Sequence, residues 1–455
     1  MDFHHIAIYG AGYVGLSCAV CLAKIGHQVT CVDINQERVA RLREGECPIY
    51  EEGLPELLKE QLALGRLQFT TDAVLANQKA QVHFIATGTP SLLNGEADLS
   101  AVYAVASHLA QHAVTQGLVV IKSTVPVGTS DALQAYINEE LNRYQKPYGM
   151  TVASNPEFLR EGSAVDDFLN ADRIIIGGNS DALAILATIY QPLTEKGIPL
   201  LKMSCISAEL SKYAANAMLA SRISFINEIS CIAEKVGANI EEIRQGIGTD
   251  QRIGPLFLQA GIGFGGSCFP KDGRALVHTA KALGIEVPML EAIESVNQRM
   301  KHWVLEKLNH YFHHDLHHKV IGIWGLSFKP GTDDLREASS LVIIDSLLQI
   351  GAKLRLYDPI ALPMLRATMP YHEGITWCTS ATDVLDGPID ALVIATEWPV
   401  FKAYSLSALQ QALSGAPVID GRNCFELSDV KKAQFTYYSV GRPVINHELS
   451  SEKVL

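Results

Sequence analysis

A chain of 455 residues is too long for a single core and predicts two to four domains. Its hydrophobic share of 48% and charged share of 19% exclude a disordered or fibrous protein. A formal net charge of −12 argues against a nucleic-acid or membrane-surface partner.

Two stretches share one texture. The first runs through I-A-I-Y-G at Ile6–Gly10, Q-V-T-C-V-D ending at Asp33, V-H-F-I-A-T ending at Thr87 and L-V-V-I-K-S-T ending at Thr124. The second runs through V-I-G-I-W-G at Val320–Gly325, then short runs ending at Asp358, Thr396 and Gly421. Such β-branched runs, alternating with helical patterns, predict parallel sheets built from βαβ units. Between them Ser207–Val236 is a long helical pattern without Pro or Gly, and a second covers about 289–312. The expected fold is therefore α/β: two doubly wound, Rossmann-like domains joined by a long central helical region. The boundaries read as residues 1–200, 201–312 and 313–440, with a loose tail at 441–455. A helix that long, bearing this many small and apolar residues, must pack against something, and a homodimer through it is expected.

The opening residues run straight into a strand and predict no secretory leader. Apolar runs such as Gly117–Ile121 are too short to cross a bilayer. Nine cysteines lack the spacing of a disulfide framework, which fits a cytoplasmic location. Cys18 and Cys21 form C-x-x-C inside a helical pattern, where buried packing is preferred to metal or redox work. The H-H-D-L-H-H run at 313–318 reads as a solvated linker, and no metal site is expected.

Chemistry begins at Gly10, Gly12 and Gly15, which form G-A-G-Y-V-G between a strand and a helix. That pattern gives a tight turn, a close backbone approach to a pyrophosphate, and a helix N-terminus for its charge. Asp33 ends the next strand about twenty residues on, where a carboxylate accepts from a ribose 2′-OH and repels a 2′-phosphate. NAD is the expected cofactor. In open α/β sheets the ligand crevice lies at the carboxyl ends of the strands, which brings in Thr87 and Thr124.

A second reactive stretch is G-I-G-F-G-G-S-C-F-P-K-D at Gly261–Asp272. Four glycines would let a ligand approach closely, and Pro270 suits a first helical position. Cys268 would then stand at a helix start beside Lys271, and both features favour a thiolate nucleophile over a packing cysteine. Lys212 and Asn216 are four residues apart on the long helix and share one face, amid small residues. They could donate to a developing oxyanion, though alone they would read as a solvated stripe.

Taken in order, these motifs resemble the UDP-glucose/GDP-mannose dehydrogenase family. They are G-A-G-Y-V-G with Asp33, T-G-T-P at Thr87–Pro90, S-T-V-P-V-G-T at Ser123–Thr129, N-P-E-F-L-R-E-G at Asn155–Gly162, E-L-S-K-Y-A-A-N, G-F-G-G-S-C-F-P-K-D, and G-L-S-F-K-P-G-T-D-D-L-R-E at Gly325–Glu337. The resemblance reaches from the glycine turn to about Phe425. It implies two successive NAD-dependent oxidations that turn a sugar's primary alcohol into a carboxylate, through a thiohemiacetal and a thioester.

By motif position the resemblance implies that Cys268 is the nucleophile and that Lys212 and Asn216 stabilise oxyanions. Asp272 and Thr124 would hold a water, and Glu157 would assist hydrolysis. Cofactor contacts are implied for Gly10, Gly12, Tyr13, Val14, Gly15, Asp33, Arg38, Thr89, Thr124, Glu161, Lys271 and Arg336. Substrate contacts are implied for Glu157, Phe158, Leu159, Arg160, Lys212, Asn216, Arg252, Phe264, Gly265, Phe328, Lys329 and, as a weaker match, Arg422. The substrate expected is UDP-glucose, yielding UDP-glucuronate, because Phe269 after the cysteine is more typical of UDP-glucose members. A GDP-mannose or other UDP-sugar oxidation is the alternative, and a non-catalytic sugar-nucleotide binder should have lost part of this set. Leu256 and Gln259 stand where lysines occur in some members, which would thin the diphosphate contacts. Gly273 is an unusual residue for a helix start.

Overall fold

Two sheets organise the computed structural model, which describes residues 4–92, 94–369 and 371–446. The first has eight strands: β1 (His5–Tyr9), β2 (Gln28–Val32), β3 (Leu67–Thr70), β4 (Val82–Ile85), β5 (Gly117–Ile121), β6 (Met150–Ser154), β7 (Ile174–Gly177) and β8 (Leu200–Met203). Their order is β3-β2-β1-β4-β5-β6-β7-β8. Every pair is parallel except β6 with β7, where Ser154 meets Gly177 in antiparallel sense. The parallel sheets expected from the βαβ pattern are present, with this one antiparallel pair added.

The second sheet has six strands: β9 (Val320–Trp324), β10 (Lys353–Tyr357), β11 (Ile375–Trp377), β12 (Ala391–Ile394), β13 (Val418–Asp420) and β14 (Tyr437–Ser439). All are parallel, in the order β11-β10-β9-β12-β13-β14. Read as first to sixth strand, both sheets follow the doubly wound order 3-2-1-4-5-6. Strands β1, β4 and β5 and their counterparts β9, β12 and β13 are buried almost throughout, because helices cover both faces. Each sheet accordingly has two cores. Ile6, Ile8 and Phe84 face one side of the first, Ala7, Ile85 and Val119 the other.

The chain forms two compact units, Met1–Ala215 with Arg274–Ile285, and Asn216–Gly273 with Glu286–Leu455. The helical stretch expected as a middle domain is shared between them. Its long helix, Cys205–Val236, is one continuous element of 32 residues, as the absence of Pro and Gly predicts. The second helical pattern is broken at His302 into Pro288–Lys301 and Trp303–Tyr311. Among the described residues no helix is long and apolar enough to cross a membrane.

One correction concerns the expected tail. Arg442 is buried, and its guanidinium donates to Ser439 Oγ, the Phe425 carbonyl and the Tyr437 hydroxyl. Gly441 accepts from Ile240 N, and Tyr437 and Ile445 exchange backbone bonds, so the chain is tied down through Ile445. Residues 447–455 lie outside the described residues.

Candidate active site

In the first unit the glycine turn joins β1 to the helix Tyr13–Lys24. Gly10 has φ +104°, and a Cβ there would stand 2.7 Å from the Ala86 carbonyl oxygen. A Cβ on Gly15 would stand 1.9 Å from the Gly10 oxygen, so this residue lets helix and strand pack. Gly12 differs, since nothing lies within 4 Å of the position its Cβ would take. It is the N-cap of the helix and supplies no side-chain cap, leaving first-turn N–H groups for an anion. These are three different physical reasons for glycine, and the open one faces the ligand side.

Asp33 follows β2 and is buried. Its Oδ2 accepts from Ala11 N at 2.8 Å and Arg38 Nη1 at 3.1 Å, while Oδ1 accepts from Asn35 N at 2.9 Å. A cleft lined by Ala11, Gly12, Asn35, Arg38, Pro48 and Ile49 opens beside it. Thr87 follows β4, and its buried Oγ1 has no hydrogen-bond partner among the described residues. Thr89 Oγ1 donates to the Thr124 carbonyl at 2.8 Å, linking the ends of β4 and β5. An uncapped helix end, an open glycine, a carboxylate at the ribose position and an unspent hydroxyl fit NAD. Tyr13 accepts from Gly162 N at 2.5 Å, so the turn is tied to N-P-E-F-L-R-E-G, and Val14 opens the same helix. Glu161 lies in that stretch too.

The same unit holds a buried charge cluster. Glu157 Oε1 lies 3.0 Å from Lys212 Nζ, both side chains being about 95% buried. Glu157 Oε2 accepts from Leu159 N at 2.7 Å. Burial opposes charge on Glu157, but Lys212, the Leu159 N–H and Lys122 outweigh it and hold the carboxyl below its usual range. The ring of Phe158 carries the Arg173 guanidinium 3.8 Å above it and has Lys212 Nζ at 5.3 Å. Leu159 packs on the sheet core, and Arg160 is engaged with Asp167. Sequence reasoning missed Lys122 and the side-chain role of Asn155, which the cluster also contains. The signal available was a lysine inside the apolar run L-V-V-I-K-S-T.

In the second unit Cys268 directly precedes the helix Phe269–Ala282, and its carbonyl accepts the bond from Asp272 N. The sulfur thus sits at the positive end of a 14-residue helix. The helix starts one residue earlier than expected, with Pro270 second. Asp272 is 1% exposed, and its Oδ2 accepts from Asn216 Nδ2 at 2.7 Å. Lys271 Nζ lies 2.7 Å from Asp272 Oδ1 as an ion pair, yet neither atom makes a well-directed hydrogen bond among the described residues. Lys212 and Asn216 lie one turn apart on the long helix, as their spacing predicts.

The glycines before Cys268 do a different job from the expected one. A Cβ on Gly261 would meet Arg422 Nη1 at 2.9 Å, on Gly263 the Asn297 Oδ1 at 2.8 Å, on Gly265 the Glu337 carbonyl at 2.4 Å, and on Gly266 the Phe328 ring at 2.9 Å. The protein's own chain makes the close approach at all four. Gly263 and Gly266 also need φ of +88° and +85°. Phe264 is buried edge-on against Phe269, with Asn297 spanning its backbone N–H and carbonyl. Gly273, by contrast, has open space where a Cβ would be.

The remaining expected contacts are dispersed in this unit. Arg252 pairs with Asp250 and is almost fully exposed, and Arg336 pairs with Asp334. Lys329 lies over the Phe328 ring at 5.6 Å. Arg422 donates to the carbonyls of Ala395 and Gly263, joining the second sheet to the cysteine loop. At the carboxyl end of β10, Asp358 occupies the place that Asp33 holds in the first sheet. Its oxygens accept from Leu326 N, Ser327 N, Ile360 N, Ala361 N and Trp398 Nε1. This carboxylate is filled from within the fold, so the second crevice does not read a ribose through it. Among the described residues no cluster of His, Cys, Asp or Glu could hold a metal ion.

Family models described as the NAD binding, central and UDP binding domains of the UDP-glucose/GDP-mannose dehydrogenase family match residues 4–194, 206–299 and 322–427. The chain is 44% identical over 446 residues to the UDP-glucose 6-dehydrogenase of Pseudomonas aeruginosa, covering 97% of this chain and 98% of that one. It is 42% identical to that of Rhizobium meliloti, covering 96% and 99%. The solved UDP-glucose dehydrogenase of Pyrobaculum islandicum superposes with a TM-score of 0.89 at 36% identity, covering 97% and 98%. The chain belongs to the UDP-glucose/GDP-mannose dehydrogenase family.

Proposed function

We propose that this enzyme oxidises the C6 alcohol of UDP-glucose to the carboxylate of UDP-glucuronate, with two NAD reduced per sugar. The observation that carries the reading is one chain combining a dinucleotide turn read by Asp33 with a thiol at a helix start beside the Asn216–Asp272 pair. NAD, when bound, supplies the hydride acceptor for both oxidations. The turn from Gly10 to Gly15 and Asp33 hold it, Arg38 lines the same crevice, and Thr89 is assigned to the cofactor as well.

Cys268 Sγ bonds to the aldehyde carbon left by the first oxidation, giving a thiohemiacetal. Loss of hydride from that carbon leaves a thioester, and water then displaces the sulfur, releasing the acid and restoring the thiol. Lys212 and Asn216 donate to the oxygens that develop negative charge. Asp272 and Thr124 are assigned to the water that carries protons, and Glu157, held as a carboxylate, receives the proton of the hydrolytic water. The uridine diphosphate is assigned to the Phe328–Lys329 stretch, with Arg252 and Arg422 as further cations.

Two assignments concern the whole protein. A second copy is the expected partner, bound along the exposed face of the long helix. A reducing cytoplasm suits nine cysteines that are all free.

The test is stoichiometry. UDP-glucose should yield two NADH per sugar and no free aldehyde, GDP-mannose should be a poor substrate, and Cys268→Ser should bind NAD yet form no acid. One NADH per sugar, or normal acid formation by the serine variant, would overturn the reading.

A further inference from the structure

We propose that Lys122 is a positioning residue: a second buried cation that keeps Glu157 ionised while Lys212 donates to the oxygen of the reacting sugar. This rests on the roles given above to Glu157 and Lys212, and it concerns a group those roles leave unused.

Lys122 follows β5 and is 5% exposed. Among the described residues its ammonium makes one hydrogen bond, to Asn155 Oδ1 at 3.1 Å. That oxygen also accepts from the Tyr190 hydroxyl at 2.5 Å, and Asn155 Nδ2 donates to the Ile175 carbonyl at 2.7 Å. Asn155 is therefore locked from three sides and presents a fixed acceptor to the lysine. A buried ammonium with one neutral partner is a costly way to fill space, since a methionine would fit without the desolvation penalty. Its charge needs an anion to serve.

The titratable groups that act on Lys122 are Cys18, Glu157 and Lys212. Cys18 stays a neutral thiol, because burial pushes it up to about 11. The anion is Glu157, two residues beyond the Asn155 that holds the Lys122 ammonium, and the charges of both lysines favour its ionised form. Lys212 has competing tasks, as ion-pair partner of Glu157 at 3.0 Å and as donor to the substrate. When its field is shared with a developing oxyanion, Lys122 supplies the charge that stops the carboxylate from taking up a proton early.

Burial pulls the Lys122 amine down, while Cys18 and Glu157 raise it in part. Lys212, the Leu159 N–H and Lys122 hold Glu157 below the usual carboxylate range, and the acid limb read in the test lies far below the ordinary lysine range, which favours the ammonium there against burial.

The experiment measures kcat against pH for the full chain with UDP-glucose and NAD, in the wild type and in Lys122→Met, Lys122→Gln and Lys122→Arg. Both neutral variants should move the acid limb upward by about one pH unit, a roughly tenfold loss of rate below the limb. The plateau and the KM for UDP-glucose should change far less, and the arginine variant should restore the limb. Should Lys122→Met fail to fold by circular dichroism, Lys122→Gln keeps a hydrogen bond to Asn155 without the charge and gives the same readout. A folded neutral variant with the wild-type acid limb, or with a uniform loss at every pH, overturns the proposal. A wild type that forms no NADH overturns the parent reading, and this one with it.

Discussion

Burial decides the behaviour of single groups here, and His83 shows it away from the site. It lies in β4 and is 1% exposed, and its Nδ1 has no partner among the described residues. Burial pushes the imidazole down from 6.5 to about 4. The folded chain thus refuses a proton that the unfolded chain accepts, so the neutral ring's contribution is intact above pH 6.5. It drains away as the pH falls toward 4. The linkage amounts to about 2 kcal/mol at pH 5. His83→Leu, similar in volume and unable to titrate, should lose about that much less stability than the wild type between pH 7 and 5. Calorimetry of the first unit's transition measures it, and equal losses in both proteins would show that His83 takes up no proton on unfolding.

At the scale of elements, one amide holds the cysteine loop at Phe264, beside the Arg422 bond to Gly263. Asn297 is fully buried, and it accepts from Phe264 N at 2.7 Å and donates to Phe264 O at 3.1 Å. Asn297→Leu would leave two buried backbone groups unsatisfied, at roughly 3 kcal/mol together. All four tryptophans, Trp303, Trp324, Trp377 and Trp398, belong to the second unit. Tryptophan fluorescence during urea unfolding should therefore show the earlier transition, and an unchanged midpoint would mean that water replaces the amide. This loop also shows what a sequence conveys and withholds. Glycine at 261, 263, 265 and 266 announces that something comes close, and a ligand was the natural reading. What comes close is Arg422, Asn297, Glu337 and Phe328, which are distant in sequence. Asp33 is legible because its partners Ala11, Asn35 and Arg38 lie close to it in the chain, and the glycine turn because its spacing follows a strand directly. Lys122 was hidden by the apolar run around it, and the anchoring of Arg442 by partners that only folding brings near.

For the whole molecule, the long helix poses a question that a single chain leaves open. Its exposed row runs Leu210, Ala214, Met218, Phe225, Ile232 and Val236, in steps of four and seven residues. Phe225 is 52% exposed, Ile232 55% and Met218 61%. Glu228 and Lys235 are exposed charged residues at the edge of the row. A 32-residue helix spans about 48 Å, and an apolar row along most of that length is unlike the scattered exposed residues of an ordinary surface. The seven-residue steps are those of a seam between two helices, and a second copy offers the same row for an isologous pairing. Phe225→Glu places a charge in the middle of that seam. The variant should sediment as a monomer at concentrations where the wild type is a dimer, with its circular dichroism unchanged. A wild type that sediments as a monomer, or a variant that remains a dimer, would remove the long helix as the dimer contact.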